Sequence, residues 1–201
     1  PTLLGQSSVL PGLIYDLVVA NNVAYVADGS IGLQIIDVSN PANPVRRGGY
    51  DTPGDAYGVA VAGSLAYVAD ISSGLQIIDV SNPTNPVRRG GYDTPGYAVG
   101  VAVAGSLVYV ADWYSGLQII DVSNPANPVR HGGYDTPDFA DGIAVAGNLA
   151  YVADWGRGLQ IVDVSNPANP VRRGGYDTPG RAVDVAVAGS LAYLANEVSG
   201  L

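Results

Sequence analysis

The stretch Gly32–Pro41 reads GLQIIDVSNP, and the chain repeats it at a fixed interval. The same ten residues start again at Gly74 and at Gly116, and GLQIVDVSNP starts at Gly158, so that each copy begins 42 residues after the one before. Self-similarity with a period between 20 and 50 residues is the signature of a repeat architecture. This string therefore decides the fold.

Outward from this string, each period contains four short runs rich in Val, Ile, Leu and Tyr. In the second copy they are Tyr57–Ala62, Leu65–Ala69, Leu75–Val80 and Val87–Tyr92. Turn sequences with Gly, Asn, Asp and Pro separate the runs, a pattern typical of β-strands. No long stretch has a helical apolar period, and the prolines in each period interrupt any helix. Four strands in 40 to 45 residues predict a propeller blade.

The sequence thus predicts an all-β fold, a β-propeller of 42-residue, four-stranded blades, in one domain over residues 1–201. Repeats start near residues 9, 51, 93, 135 and 177, after a partial blade at 1–8. The last repeat holds two strands, so we expect a five-bladed ring whose incomplete blade is closed by Pro1–Ser8. The alternatives are a piece of a longer propeller and a dimer whose chains complete each other's edges; we favour the monomer.

Residue size orders the strands within a blade. The run Gly58–Gly63 (GVAVAG) is small and apolar on both faces, which suits the narrow end of a wedge near the axis. The VRRGGYD run is polar and charged, which suits an exposed edge. We expect the first strand to be innermost and the fourth outermost.

Composition excludes several classes of function. With 47% hydrophobic residues the chain can build a core, and its net charge of -9, with no Lys, argues against nucleic-acid binding. No apolar run is long enough for membrane insertion through a helix. The absence of Cys excludes disulfides and thiolate chemistry.

Few residues of the sequence could take part in catalysis. The single histidine, His131, falls in a column otherwise held by Arg on the outer strand, so we expect a surface substitution. No nucleotide-binding, metalloprotease or EF-hand motif occurs. The aspartates recur once per blade, which favours turn stabilisation by carboxylates that accept backbone amide hydrogens, with a calcium ion in each blade as the alternative. We expect neither an enzyme nor a cofactor.

The copies differ mainly in two windows, one after Thr-Pro and one after Tyr-Val-Ala-Asp. In an antiparallel blade both loops emerge at the same end, so the differences should gather on one face. Aromatic and charged side chains there would form a recognition surface for a protein or a glycan, although drift in tolerant loops is the alternative. The candidate ligand-binding residues are Asp55, Tyr57, Tyr97, Trp113, Tyr114, Asp138, Phe139, Asp141, Trp155, Arg157, Arg181 and Glu197.

Two aspartates form a second candidate site, separate from the ligand-binding residues. Asp16 and Asp184 occupy a column that is glycine in the other three copies, at the start of the innermost strand. If the first and fifth blades are neighbours, the two carboxylates meet near the axis as a paired-acid or cation site with one raised pKa. The alternative is that both acids lie in water at the terminal blades.

The LQIID core, preceded by LAYVAD and followed by DVSNPxNP, resembles the LVIVD repeat family over essentially the whole chain. The resemblance implies a β-propeller and an extracellular or cell-surface location, and it carries over no catalytic residue. Two functional hypotheses follow. One is a non-enzymatic binding or scaffold module, and the other is a purely structural repeat, either a surface spacer or an engineered or recently amplified array.

Overall fold

The computed structural model of the protein describes residue 10 and residues 12–197. Every regular element in this part of the chain is a β-strand. No helix that could cross a membrane occurs there.

The strands form four sheets of four and one sheet of two. The first sheet contains β1 (Asp16–Ala20), β2 (Val23–Ala27), β3 (Leu33–Asp37) and β4 (Val45–Tyr50). The second contains β5 (Gly58–Ala62), β6 (Leu65–Ala69), β7 (Leu75–Asp79) and β8 (Val87–Tyr92). The third contains β9 (Gly100–Ala104), β10 (Leu107–Ala111), β11 (Leu117–Asp121) and β12 (Val129–Tyr134). The fourth contains β13 (Ala140–Ala146), β14 (Leu149–Asp154), β15 (Leu159–Asp163) and β16 (Val171–Tyr176), and the fifth contains β17 (Ala182–Ala188) and β18 (Leu191–Asn196).

Within each sheet, strands that follow one another in sequence pair antiparallel. The first strands of all five sheets line one shared cavity, which marks the axis of the arrangement. The four-stranded blade and the innermost position of its first strand are therefore confirmed. The described strands do not close a ring, so the five-bladed count stays a prediction, and the expected pairing of Pro1–Ser8 with the last blade lies outside the described residues.

The core lies between the sheets. Ile119 on β11 is fully buried and packs in one cluster with Ile143, Val152 and Val162, which belong to the first three strands of the next sheet. Each side chain of this kind removes apolar surface from water, a gain of roughly 1.5–3 kcal/mol per residue. Adjacent sheets thus hold each other through their facing apolar surfaces.

Two sets of equivalent glycines, one on the inner strands and one on the outer strands, allow neighbouring sheets to approach closely. A Cβ at Gly58 would lie 2.6 Å from the carbonyl oxygen of Val99 on the next sheet. On the outer strands, a Cβ at Gly90 or Gly132 would overlap a carbonyl oxygen in the Asn-Pro turn of the following sheet. Because real Cβ atoms do not approach so closely, any larger residue would push the sheets apart.

The outer strand is bound to the third strand by side-chain hydrogen bonds. Arg130 donates through Nε to the buried Gln118 at 2.7 Å, and Gln118 donates to the carbonyl of Ser115 at 2.6 Å. Asp121 ends the third strand, and its Oδ2 lies 3.8 Å from Nε2 of His131, which is exposed. His131 thus replaces, at the surface, the Arg that pairs with this aspartate in the other copies.

The close approach of the outer strands can be tested with matched variants. We expect Gly132→Ala to lower the free energy of unfolding by about 1–3 kcal/mol, because the added methyl group would overlap the carbonyl oxygen of Pro167. Gly174 holds the same position in the fourth sheet, and no described atom lies within 4 Å of where its Cβ would be. Gly174→Ala should therefore stay within about 0.5 kcal/mol of the wild type in urea unfolding. Equal losses in the two variants would contradict this account.

Candidate functional site

Two kinds of loop meet at one end of the sheets. The leading loop runs from the fourth strand of one sheet into the first strand of the next, and the crossover loop joins the second and third strands within a sheet. Trp113 in a crossover loop exchanges two backbone hydrogen bonds, of 3.1 and 2.9 Å, with Ala140, the first residue after the next leading loop. The equivalent bridges join Gly29 to Ala56, Ile71 to Ala98 and Trp155 to Ala182. The two windows in which the copies differ are therefore neighbours, and together they form what we call the variable-loop face.

The bridging residue in each crossover loop has left-handed backbone geometry. Its φ is 47° at Gly29, 42° at Ile71, 46° at Trp113 and 38° at Trp155. This conformation costs a residue with a Cβ roughly 1–2 kcal/mol, whereas glycine adopts it freely. The first copy shows that glycine suffices for the bridge. The tryptophans therefore occupy this position although its left-handed backbone conformation disfavours them.

Buried aspartates anchor the leading loops. Asp112 follows β10 and accepts a 2.6 Å hydrogen bond from the hydroxyl of Thr94 and a 2.8 Å bond from the amide of Gly96. Burial raises the pKa of its carboxyl, and the hydrogen bonds oppose that shift. Asp70 and Asp154 accept the equivalent amide hydrogens, from Gly54 and Asp138, so the predicted turn-stabilising role is confirmed at these three positions of the column.

A second column of aspartates fixes the turns after the third strands. Asp163 accepts the amide hydrogen of Ser165 at 2.9 Å and pairs with Arg173 at 2.6 Å. The hydrogen bonds from Ser165, with Arg173 beside the carboxylate, lower the pKa of Asp163 to about 2. Among the described residues, no group of three or more His, Asp or Glu side chains is placed to hold a metal ion.

Three predicted aromatic residues form one cluster on the variable-loop face. Trp113 and Phe139 stack with ring centroids 4.9 Å apart, and Trp155 meets both edge-on at 5.5 and 5.2 Å. The guanidinium of Arg181 lies 4.2 Å from the centre of the Trp155 ring. The bridge to Ala140 brings Phe139 beside Trp113, and all three rings are partly buried.

Some predicted charged residues hold the loops rather than project from them. Asp138 accepts hydrogen bonds from the amides of Phe139, at 3.0 Å, and Gly156, at 3.2 Å, and so joins a leading loop to a crossover loop. Arg181 pairs with Glu197 at 3.4 Å. Asp55 and Arg157 are exposed.

Tyrosines occupy the rest of the face. Tyr97 and Tyr114 are 44% and 52% exposed, and their rings meet edge-on at 5.4 Å. Tyr57 stacks on Tyr15 with centroids 3.7 Å apart, and its hydrogen bond with Tyr15, together with burial, raises the pKa of Tyr57 to about 12. Sequence reasoning did not select Tyr15, although it lies in the same window as Tyr57.

The axial cavity has a volume of about 320 Å³ and is lined by three carboxylates, Asp16, Asp141 and Asp184. Asp16 accepts a 2.9 Å hydrogen bond from the amide of Val59 on the second sheet, and Asp184 accepts one of 2.8 Å from its neighbour Val185. Asp184 is exposed as a residue, but partial loss of solvent around its carboxyl raises its pKa; the hydrogen bond from Val185 opposes this shift, and the charge of Asp16 adds to it. The predicted pair is therefore a group of three, because Asp141 reaches the same cavity from the fourth sheet.

The carboxyl of Asp141 has a strongly raised pKa. Burial, then the negative charges of Asp184 and Glu197, raise its pKa to about 6. Because the folded protein holds this proton more tightly than the unfolded chain, the contribution of Asp141 to stability falls as the pH rises from about 4 to 6.

This shift predicts a titration and a stability difference. The carboxyl carbon of Asp141 should titrate near pH 6 in NMR spectra, and that of Asp163 near pH 2. Asp141→Asn removes the ionisation, so its melting temperature relative to the wild type should rise between pH 4 and pH 7. Parallel melting curves over this range would show that the carboxyl is not perturbed.

Comparison with solved structures supports the fold. A functionally unknown protein from Desulfotomaculum acetoxidans DSM 771 is 16% identical, with a TM-score of 0.75, and the match covers 94% of this chain and 65% of that one. The computationally designed Ika8 protein is 7% identical, with a TM-score of 0.70, and the match covers 95% of this chain and 57% of that one. The designed Ika4 protein is 8% identical, with a TM-score of 0.61, over 80% of this chain and 97% of that one.

The chain thus spans less than two thirds of the length of the first two of these proteins. No curated protein matches its sequence. The LVIVD repeat matches it five times, over residues 11–52, 53–94, 95–136, 139–178 and 179–201. The chain therefore belongs to the LVIVD repeat family.

Proposed function

We propose that this chain is a non-enzymatic binding module whose variable-loop face contacts a partner protein outside the cell. The observation that carries the proposal is the presence of Trp113 and Trp155 at left-handed positions. Gly29 makes the same bridge in the first copy without strain. A large aromatic residue that opposes its own backbone preference points to a use for the side chain, and functional sites are where such strain collects.

The packing of the aromatic rings against one another favours a protein partner over a glycan. Sugars stack on open aromatic faces, whereas Trp113, Phe139 and Trp155 cover one another. The exposed part of the face offers Tyr97 and Tyr114, with charged neighbours. Tyrosine and arginine beside a half-buried aromatic centre are typical of protein interfaces.

Charge indicates the partner's chemistry. The chain carries a net charge of -9, and Asp141 lines the axial cavity next to Tyr57. A partner with basic side chains opposite this cavity would be attracted and oriented by the acids. The extracellular location follows from the family resemblance and is part of the proposal.

Glycine substitutions test the face without changing the backbone it requires. We expect Trp113→Gly and Trp155→Gly each to weaken partner binding by about tenfold or more, as for the loss of an interface anchor. Ile71→Gly is the matched control, because Ile71 occupies the same left-handed position outside the aromatic cluster, and it should change affinity by less than about twofold. The measurement is biolayer interferometry against an array of extracellular protein domains, with a glycan array in parallel and circular dichroism to establish folding.

The near-identity of the copies favours a second candidate, a structural repeat that serves as a spacer. If the wild type binds nothing on either array, the spacer is the better account. Hits confined to the glycan array would contradict the choice of a protein partner.

A further inference from the structure

Every arginine of this chain except Arg157 has a described side-chain partner. On the outer strands, some arginines donate to a glutamine of the third strand and the others pair with the aspartate that ends it; they are Arg46, Arg88, Arg130 and Arg172, and Arg47, Arg89 and Arg173. Arg181 lies on the Trp155 ring and pairs with Glu197. Arg157 is exposed, and its guanidinium has no hydrogen bond or ion pair among the described residues. It is therefore a free cation on the variable-loop face of a chain whose net charge is -9.

The backbone at position 157 does not require an arginine. The amide of Arg157 donates to the carbonyl of Asp154 at 2.7 Å, and its carbonyl accepts a 3.2 Å hydrogen bond from Gln160. Ser115 is the equivalent residue of the third sheet, and its backbone makes the same two contacts at 2.9 and 2.6 Å. Serine also holds this position in the second sheet, as Ser73. The fold thus uses only the main chain here, and the guanidinium is available to a ligand.

A free carboxylate, Asp55, lies on the same face in the leading loop of the second sheet. It is exposed and accepts no hydrogen bond from the described residues. Together with Asp51, Ser30 and Ser72 it lines an open cleft of about 550 Å³, whose apolar wall includes Ile71. Lysine and arginine side chains pack their stems on apolar surface and keep their charge at a polar end. The cleft therefore suits a basic side chain of a partner.

The two free charges lie at different ends of the face. The bridges between loops place the copies side by side in sequence order. The position of Asp55 is held by Tyr97, Phe139 and Arg181 in the next three copies. Aromatic side chains therefore follow the acid, and Arg157 lies in the fourth sheet beyond Tyr97. The face has an acidic end, an aromatic middle and an end with a free cation.

These charges restrict how a partner can lie on the face. An exposed aspartate begins each leading loop after the first, so acids of a partner are repelled along the whole face; these residues are Asp51, Asp93, Asp135 and Asp177. A partner's acid is attracted only where a free cation offsets this charge, at Arg157. A partner's base is attracted most strongly where Asp55 adds to the charge of Asp51. Because like charges opposed across an interface are strongly unfavourable, the reverse orientation is rejected.

We propose that Arg157 and Asp55 determine the orientation of the partner protein, which presents an acidic side chain to Arg157, a basic side chain to the cleft at Asp55 and an apolar surface to the aromatic residues between them. This inference rests on the proposed function, because it assigns the partner's chemistry at the same face. Charge complementarity of this kind supplies specificity and raises the association rate. The aromatic contacts remain the main source of affinity.

Charge reversal at the two positions tests the orientation. Arg157→Glu and Asp55→Lys change the formal charge by equal amounts in opposite directions, so the double variant keeps the net charge of -9. We expect each single variant and the double variant to bind the protein hits of the extracellular-domain array at least about tenfold more weakly than the wild type, mainly through slower association. Both side chains are exposed, so circular dichroism should show an unchanged fold.

A control variant removes a cation away from the face. Arg47 pairs with Asp37 on the outer strand of the first sheet. Arg47→Gln should change the affinity by less than about twofold, because exposed charges separated by more than a Debye length are screened. A loss as large as that of Arg157→Glu would show that net charge, rather than the contact at Arg157, controls binding.

A compensating change in the partner distinguishes a direct contact from an indirect effect. Replacing the partner's contacting acid by lysine, found by testing its surface acids one at a time, should restore the binding of Arg157→Glu by about tenfold. If no such change restores binding, or if the double variant binds as the wild type does, Arg157 and Asp55 do not orient the partner, although the proposed function stands. An array that yields no protein partner for the wild type overturns both.

Discussion

The close approach of neighbouring sheets at glycine is the constraint on which this structure depends. Inner strands meet where Gly58 lies against the carbonyl of Val99, and outer strands meet where Gly132 lies against Pro167. Between these two lines of contact the space is filled by side chains such as Ile119 and Val162. Interiors of this density tolerate little change in volume, so each copy must present the same small and large residues in the same order.

The same constraint leaves the loops at one end free to differ. The bridge between a crossover loop and the next leading loop uses backbone atoms, so it accepts Gly29, Ile71 or Trp113 without a change of partner. A strained backbone residue is retained only where the surrounding structure holds it, and here two hydrogen bonds do so. The fold therefore separates a conserved interior from a face whose chemistry varies from copy to copy within this chain.

Electrostatics divide the aspartates into groups with different roles. Asp163 lies at the surface, bound by an amide and an arginine, and is ionised over the whole working range of pH. Asp112 is buried within a loop, and its hydrogen bonds compensate part of the cost of burying a charge. Asp141 has neither an arginine nor described hydrogen-bond donors to offset burial and like charge, and its pKa is correspondingly high. The pKa shifts of these aspartates therefore differ because their carboxyls differ in burial, in hydrogen-bond donors and in neighbouring charges.

Much of the fold could be read from residue order. Strand positions, the antiparallel arrangement and the inner and outer strands follow from local alternation, turn residues and the 42-residue period, and all of these are present in the structure. The convergence of the two variable windows also followed from strand direction alone. Asp16 and Asp184 were identified because they interrupt a column of glycines, whereas nothing in the local sequence marked Tyr15 as the partner of Tyr57.

By itself, then, the sequence determined the repeat, the blade and the family. Only the tertiary structure decided that Trp113, Phe139 and Trp155 cover one another and that Asp141 joins the axial acids. The physical reason is that strands are specified by neighbours a few residues apart, while these contacts join side chains on different sheets. Their distances depend on how closely and at what angle the sheets pack, which no single repeat encodes.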